Sequence, residues 1–514
     1  MLRSFPIVRQ ISILTLILCL ISASSLFAGD GELVILHTNG IHGAFLPREA
    51  RWLDSRPMIG GFGPLSGALK IERASDQPIL LLDAGDFMTG NPITDLEVNG
   101  AIGGAMLEFF DLLNYDLITL GNHEFDVSTL NAKRLAATSK IPIVSANIRH
   151  VVFHQQESLE LLTDEGWKIF SVDGIRVGVI GLVMEDLTES ISRVGNEDLR
   201  ISPPVEEVRT AVEQIDPKTD LIVLLTHQGI DADRNLAEQL EGVDVIVGGH
   251  SHTRIDPPEI TNNVIIVQAG AYCLYLGKLW LKVEDDEVVD YEGKLIPLWV
   301  DSLQATPEVA ALVKLYQDTL EHEFGKTLLT LDEDWIAASY EESTLGSWLA
   351  DRLREYGNGD FAVINSGGIR KDLLKGPLRV MDIREMLPFS NRVVSFTCTG
   401  EQLQKLVETN AIAGASRSNE ILQVSGLSYK IIRSTGQPTQ ILVNGKPLDP
   451  NKTYKGISID YVAISHPDRY FGFTPRQSED LGIQFTNLII QYVKTQGMKQ
   501  KPPSGRITWI TDKK

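Results

Sequence analysis

The feature that most constrains the fold of this chain is a series of eight short apolar runs between residue 33 and about residue 300, several of which stop at a polar turn. Runs this apolar are typical of strands that are covered on both faces, and helical stretches separate them. The alternation predicts a layered α/β core. The eight runs are LVILHT, PILLLDAGD, YDLITLGNHE, IPIVSANI, VGVIGLV, DLIVLLTHQG, DVIVGGHSHT and NVIIVQAG.

The sequence predicts that the whole chain divides into four segments. Residues 1–28 combine Arg3 and Arg9 with an apolar run and then small residues, which is the pattern of a secretory signal peptide. An uncleaved anchor helix is the alternative, although the run is short for a bilayer span. Residues 29–300 form the first α/β unit, residues 301–327 a linker with the helical stretch Thr306–Gly325, and residues 328–514 a second α/β unit.

Charge and cysteine content narrow the function classes. No segment after the signal is apolar enough to span a membrane, so we expect an exported protein, periplasmic or extracellular, without a stable membrane span. The formal net charge is −21 and becomes −23 when the two arginines of the signal are lost. Such a chain is a poor partner for nucleic-acid polymers, which need a basic surface. Cys273 and Cys398 could form one disulfide, but we expect both to be buried as small apolar residues. The oligomeric state is left open.

Metal-ligating side chains gather where the predicted strands end. Sites in open α/β sheets form beyond the carboxyl ends of strands, so these residues are expected to meet there. Each of them alone could be an ordinary capped turn, but buried ionisable groups together need partners or metals. Their chemistry fits a two-metal hydrolase with a shared carboxylate, and imidazole with carboxylate suits zinc or manganese. The residues are His42, Asp86, Asn122, His123, Asp126, His227, His250 and His252.

The order of these motifs carries a family resemblance over nearly all of the chain after residue 28. ILHTNGIHG, LLDAGDFMTG, LITLGNHEFD, IPIVSANI, THQG, GGHSH and VQAGAYCLYLGKLWL occur in that order. The chain resembles the 5′-nucleotidase family of calcineurin-like metallophosphoesterases, which includes UDP-sugar hydrolases and 2′,3′-cyclic-nucleotide phosphodiesterases. The resemblance implies two central sheets flanked by helices, a helix leading to a C-terminal α/β substrate domain, and closure by rotation between the domains. It also implies two divalent metal ions and hydrolysis of nucleotides or nucleotide sugars.

Residue roles in the first unit follow from the resemblance, position by position. His123 would contact the phosphoryl group, and Asp126 would orient His123. One metal would be held by His42, Asp86 and His252, and the other by Asp86, Asn122, His227 and His250.

The second unit contributes a candidate substrate site. The stretch NSGGIR is expected at a strand-to-helix turn, where backbone N–H groups and an arginine could bind an anion. A plain glycine turn with a surface arginine fits the motif equally well. By the resemblance, Phe389 would stack on the base, and a phosphate or ribose would be bound by Asn365, Gly367, Gly368 and Arg370.

Three departures from the family pattern bear on activity. Gly40 stands where the family has a metal-ligating aspartate, so we expect the first metal site to be weakened. Ser339 stands near the position of a family arginine. The loop HPDRYFGF replaces a glycine-rich loop, and Tyr470 is the candidate for its aromatic residue. The alternative to an enzyme is therefore a catalytically weakened homologue that binds a nucleotide or another ligand. Retention of the other metal ligands favours the enzyme.

Overall fold

The computed structural model describes residues 29–153, 157–417, 421–498 and 500–511. The predicted signal peptide lies outside these residues. Among the residues described, no helix combines the length and the apolar character needed to cross a membrane.

Two six-stranded sheets form the centre of the N-terminal part. All eight predicted apolar runs are strands in these sheets. The order in the first sheet is Glu287–Pro297, Tyr275–Glu284, Gly31–Thr38, Ile79–Asp83, Leu117–Thr119 and Ile143–Val144. The order in the second is Trp167–Val172, Ile175–Val183, Leu221–His227, Val245–Val247, Val264–Val267 and Glu259–Thr261.

The sheets pack face to face, and helices cover their outer faces. Alternate residues of a strand point to opposite faces, so each strand contributes to two cores. Leu33 and Ile35 lie in the core between the sheets, whereas Val34 and Leu36 lie in the core under the helices. Burial on both faces explains why these strands are almost continuously apolar. The predicted fold class is confirmed.

His37 is a buried titratable residue in the strand Gly31–Thr38. It is buried opposite Gly277 on the neighbouring antiparallel strand. A Cβ atom at position 277 would lie 2.1 Å from the Nε2 atom of His37, so only glycine leaves room for the imidazole. Burial lowers the pKa of His37 to about 3, which keeps the ring neutral.

The helix Pro307–Phe324 leads to the C-terminal part, in agreement with the predicted linker helix. A five-stranded sheet follows, in the order Leu422–Ser425, Phe361–Asn365, Thr453–Ile459, Arg392–Thr399 and Ser478–Gln484. A four-stranded sheet has the order Lys446–Pro447, Pro438–Val443, Leu427–Ile432 and Ile507–Ile510. Cys273 and Cys398 are both buried and free, as predicted.

The remaining elements complete the two parts. The other α-helices are Phe62–Glu72, Gly104–Leu112, Thr129–Thr138, Leu187–Ser190, Pro204–Ile215, Ile230–Gln239, Thr344–Gly357, Val380–Met386, Gly400–Ser416, Pro467–Phe471 and Phe485–Gln496. Smaller sheets pair Arg48–Glu49 with Met58–Ile59, Glu97–Val98 with Ala101–Ile102, Thr327–Leu331 with Gly376–Arg379, and Ile148–Phe153 with Glu157–Leu161 and Leu199–Ile201.

Candidate metal centre and substrate cavity

The carboxyl ends of strands from both six-stranded sheets converge on one cluster of ligands. His42 and Asp86 follow strands of the first sheet, while His227, His250 and His252 come from the second. Two sets of ligand atoms each lie within 4.8 Å of one another, and Asp86 belongs to both. The sets are His42 with Asp86 and His252, and Asp86 with His227 and His250.

Four of these ligands have a left-handed backbone. The φ angles are 52° for His42, 60° for Asp86, 72° for His250 and 54° for His252. Residues other than glycine rarely adopt this conformation, and it is characteristic of functional sites held in place by their surroundings. The turn glycines supply close packing, since a Cβ atom at Gly121 would lie 2.3 Å from an Asp86 carboxylate oxygen.

The imidazoles are oriented by bonds on their outer nitrogens. His227 donates its Nδ1–H to the Ala84 carbonyl at 2.6 Å, so the Nε2 atom of a neutral ring carries the lone pair. That buried Nε2 atom faces the Asp86 carboxylate at 3.0 Å without a hydrogen bond. His42 donates its Nδ1–H to the Thr89 carbonyl, and its Nε2 atom lies 2.9 Å from that of His252. Lone pairs that converge in this way fit a bound cation.

Electrostatics favour the ligating forms of most of these groups. Burial would raise the pKa of Asp86, but the facing imidazoles of His227 and His123 hold it well below its usual value. Burial lowers the pKa of both His250 and His252 to about 4. For His227, burial opposes protonation, but Asp86 raises its pKa. At neutral pH the cluster thus offers an ionised Asp86 carboxylate and neutral imidazoles at His250 and His252, the forms in which these groups bind metals.

Glu124 fixes the loop that carries Asp86. Its carboxylate accepts the backbone N–H groups of Asp86 and Met88 at 3.0 Å and that of Gly121 at 2.6 Å. Sequence reasoning assigned no role to Glu124. The sequence did contain a signal, an acidic residue directly after His123. In the structure Glu124 is buried and bonds to the backbone of the neighbouring turns.

His123 and Asp126 form a pair beside the ligands. The Nδ1–H of His123 donates to Asp126 at 2.6 Å, and Thr89 donates its hydroxyl to the same carboxylate oxygen at 2.6 Å. Burial would lower the pKa of His123, but Asp126 and Asp86 raise it to about 9. The structure thus contains a hydrogen bond between His123 and Asp126, and the role of Asp126 in orienting His123 stays a prediction.

A cavity of about 280 Å³ opens beside this pair, between the N- and C-terminal parts. His123 and Phe389 are both in its wall, and their rings are 5.9 Å apart. The residues predicted for phosphate or ribose binding all line it, namely Asn365, Gly367, Gly368 and Arg370. Asn122, predicted as a metal ligand, reaches the same wall. The cavity therefore brings together the sites predicted in the two halves of the chain.

Two sequence-based expectations need correction here. Tyr470 is buried in the C-terminal core and does not line the cavity, because its short helix packs inward. Tyr461 lines the cavity instead. The turn after Asn365 is a 3-10 turn, Ser366–Gly368, and the next α-helix along the chain begins only at Val380. An anion there would meet backbone N–H groups and Arg370, but not the end of a helix dipole.

Ser339 contacts the turn Ser366–Gly368, and a second arginine, Arg392, lines the cavity. The Ser339 carbonyl accepts the hydroxyl of Ser366, so it supports the turn through its backbone. Arg392 lines the cavity and is paired with Asp480. Sequence reasoning missed Arg392 and Tyr461. Arg392 follows Phe389 closely at the start of a strand, whereas nothing in the sequence marked Tyr461.

Comparison with known proteins agrees with this geometry. Residues 33–254 match the family described as calcineurin-like phosphoesterase, and residues 328–471 match the 5′-nucleotidase C-terminal domain. The chain belongs to the 5′-nucleotidase family of calcineurin-like metallophosphoesterases. The matched ranges contain every proposed metal ligand and substrate residue, although the roles of these residues remain proposals.

Curated relatives of this family member are similar over most of its length. The human 5′-nucleotidase is 27% identical over 94% of this chain and 92% of that protein. Protein UshA of Escherichia coli is 26% identical over 93% of this chain and 94% of its own. The trifunctional nucleotide phosphoesterase YfkN of Bacillus subtilis is 27% identical over 93% of this chain, which spans 35% of YfkN.

A solved structure has the same architecture. The 5′-nucleotidase precursor from Thermus thermophilus superposes with a TM-score of 0.80 at 25% identity, covering 93% of this chain and 99% of that one.

Proposed function

We propose that this protein is a metal-dependent phosphohydrolase that releases phosphate from nucleotides. The observation that carries the proposal is the position of the two ligand sets, which share Asp86 and adjoin a cavity lined by His123, Arg370 and Phe389. Such a cavity offers a guanidinium for phosphate and an aromatic face for a base. The human protein and the Thermus thermophilus protein are 5′-nucleotidases by name, and YfkN is a nucleotide phosphoesterase by name, which supports the same substrate class.

Each group in the site has a proposed task. Zinc or manganese would be held by the two ligand sets together with Asn122, and such ions would polarise a phosphoryl oxygen and lower the pKa of a bound water. Protonated His123, oriented by Asp126, would donate a hydrogen bond from Nε2 to a phosphoryl oxygen. Arg370 would bind the phosphate, and Phe389 with Tyr461 would contact the nucleoside.

The first metal site is proposed to be the weaker of the two. Gly40 has no side chain, and a Cβ atom at this position would lie 3.1 Å from the Nε2 atom of His252. An aspartate would therefore reach the same cation as His252. The φ angle of Gly40 is 54°, a conformation that aspartate adopts more readily than most residues. Without it, the set loses both a ligand and a negative charge.

Metal titration tests this point. Calorimetry on the metal-free protein should show one tight and one weak site for Mn²⁺, and Gly40→Asp should tighten the weak site by at least tenfold. Two equally tight sites in the natural protein would refute the idea of a lost ligand.

The alternative is a homologue that binds nucleotides without hydrolysing them. Gly40 motivates it, but the two possible ligand sets that share Asp86 and the hydrogen bond between His123 and Asp126 support the hydrolase. Nothing in the fold or among the relatives favours this alternative over the hydrolase. We also propose that the protein is exported, on the basis of the sequence of residues 1–28.

Phosphate release from AMP tests the proposed function. Protein stripped of metal should be inactive, and addition of Mn²⁺ or Zn²⁺ should restore release with saturation in AMP. His123→Ala should lower kcat by about a hundredfold or more, as expected for loss of a general acid or charge-stabilising group. Saturable AMP binding without metal-dependent phosphate release would support the alternative instead.

A further inference from the structure

Thr89 bonds to two different parts of the candidate metal centre. It is buried on the loop that follows the strand Ile79–Asp83. Its carbonyl accepts the Nδ1–H of His42, a predicted metal ligand, at 3.1 Å, and its hydroxyl donates to the Oδ2 atom of Asp126 at 2.6 Å. The same Asp126 oxygen accepts the Nδ1–H of His123 at 2.6 Å. One residue therefore contacts both a predicted ligand of the first metal and the partner of His123.

The backbone of Thr89 is held in an unfavourable conformation. Its φ angle is 60°, and a positive φ is a genuine outlier for a β-branched residue. The neighbouring residues hold it there. Glu124 accepts the backbone N–H of Met88 at 3.0 Å, and a Cβ atom at Gly90 would lie 2.5 Å from the His42 carbonyl oxygen. Backbone strain of this kind clusters at active sites, so Thr89 is a candidate for a functional position.

The Asp126 carboxylate is anchored from outside its own turn by the Thr89 hydroxyl. Asp126 closes the 3-10 turn His123–Phe125, so the bond between His123 and Asp126 alone would let the two side chains move together. Within the described ranges of the chain, Thr89 supplies the one hydrogen bond to this carboxylate from another segment. A second donor on the same oxygen restricts rotation of the carboxylate, and bonds to an ionised acceptor are short and strong.

We propose that Thr89 is a positioning residue of the hydrolytic site. Its hydroxyl holds the Asp126 carboxylate, and through it the Nε2–H of His123, at a fixed place relative to His42. The bond to His42 is made by the backbone carbonyl of Thr89, so the hydroxyl can be removed without removing that bond. The inference rests on the proposed function and adds a residue to its machinery.

Kinetics of AMP hydrolysis with Mn²⁺ test the role of the hydroxyl. Thr89→Val keeps the β-branched shape and removes the donor. It should lower kcat about tenfold, the size expected for loss of a charge-assisted bond, and leave KM unchanged. Thr89→Ser keeps the donor and should retain most of kcat. Equal losses of kcat in the two variants, or a loss expressed in KM rather than in kcat, would overturn the inference.

Thr94→Val is the matched control. Thr94 is a buried threonine of the neighbouring segment, but its hydroxyl donates to the backbone carbonyl of Asn91 at 2.8 Å. The control removes a buried hydroxyl that does not bond to Asp126, so kcat should stay unchanged. A loss of kcat equal to that of Thr89→Val would overturn the inference.

Equilibrium dialysis against Mn²⁺ checks that the metal centre is intact in the kinetic variant. Thr89→Val should hold as much metal as the natural protein, because the carbonyl that bonds to His42 is retained. Loss of metal from Thr89→Val would overturn the inference, since the hydroxyl would then act on the metal centre and not through Asp126.

Nuclear magnetic resonance of the metal-free protein, with labelled histidines, separates this inference from the proposed function. The Nδ1–H of His123, identified by its absence in His123→Ala, should give a downfield proton resonance because its bond to Asp126 is short. This proton should exchange with water about tenfold faster in Thr89→Val, where the carboxylate loses its second donor. Thr89→Ser should keep the natural exchange rate.

The exchange rate decides the inference even in an inactive protein. An unchanged rate in Thr89→Val would overturn the role of Thr89. A natural protein that releases no phosphate from AMP would refute the proposed function, but the comparison of exchange rates would still show whether Thr89 positions His123.

Discussion

The imidazoles of the candidate metal centre are positioned by bonds that point away from it. His42 and His227 each donate Nδ1–H to a backbone carbonyl, and this leaves Nε2 directed at Asp86 and its neighbours. Outer bonds of this kind usually fix the tautomer of a metal-binding histidine. His42 and Asp86 also have left-handed φ angles, and such backbone strain must be offset by the surrounding packing.

Away from the site, His37 should make stability depend on pH. Its pKa is about 3 in the folded protein and 6.5 in an unfolded chain, so between these values the unfolded state binds the extra proton. Stability therefore rises with pH across this window and is complete above 6.5. Between pH 7 and pH 5 the group should account for a loss of about 2 kcal/mol. Thermal unfolding of His37→Leu should show a correspondingly smaller difference between these pH values, and an unchanged difference would contradict the account.

Individual elements were predictable to different degrees. Eight of the twelve strands in the two large sheets follow from their continuous apolar runs, because burial on both faces leaves little freedom of residue type. The helix Pro307–Phe324 follows from its periodicity and from the glycine after it. The residues of the cavity wall were harder to predict from the sequence. Tyr470 and Tyr461 lie close together in the sequence, and only long-range packing decides which ring is buried and which lines the cavity.

The helix Gly400–Ser416 offers a test at the level of an element. Thr399 accepts the N–H of Gln402, and the Gln402 side chain accepts the N–H of Thr399, so the two residues form a reciprocal cap. Thr399→Ala should lower the free energy of unfolding by about 1 kcal/mol. Thr399→Ser keeps the hydroxyl and should retain most of the free energy of unfolding, as measured by chemical denaturation. Equal effects of the two substitutions would show that the cap is not the cause.

The candidate substrate cavity lies between two domains that touch on both sides of it. On one side, the Asn91 amide donates to Glu385 at 2.6 Å and Arg384 lies 3.3 Å from Asp95. On the other, His466 donates its Nε2–H to the Ile191 carbonyl at 2.7 Å. The predicted rotation between domains, and the boundaries at residues 300 and 327, remain predictions that these contacts do not decide.

Loss of the His466 contact should loosen the domains. His466→Ala would leave the Ile191 carbonyl without its buried donor, at a cost of about 1–3 kcal/mol. Fluorescence transfer between labels on the two domains should show a broader distance distribution in this variant. Thr474→Ala, an exposed substitution close by, should leave the distribution unchanged. Identical distributions for both variants would show that the contact does not hold the domains together.

Asp86 belongs to both possible ligand sets and is the proposed shared ligand of two metal ions. The most direct test is equilibrium dialysis of natural protein and Asp86→Asn against Mn²⁺, followed by measurement of bound metal. The natural protein should hold one tight and one weak ion per chain. Because the shared carboxylate is lost from both sets, Asp86→Asn should lose the tight ion together with the weak one. Retention of the tight ion by Asp86→Asn would contradict the shared site.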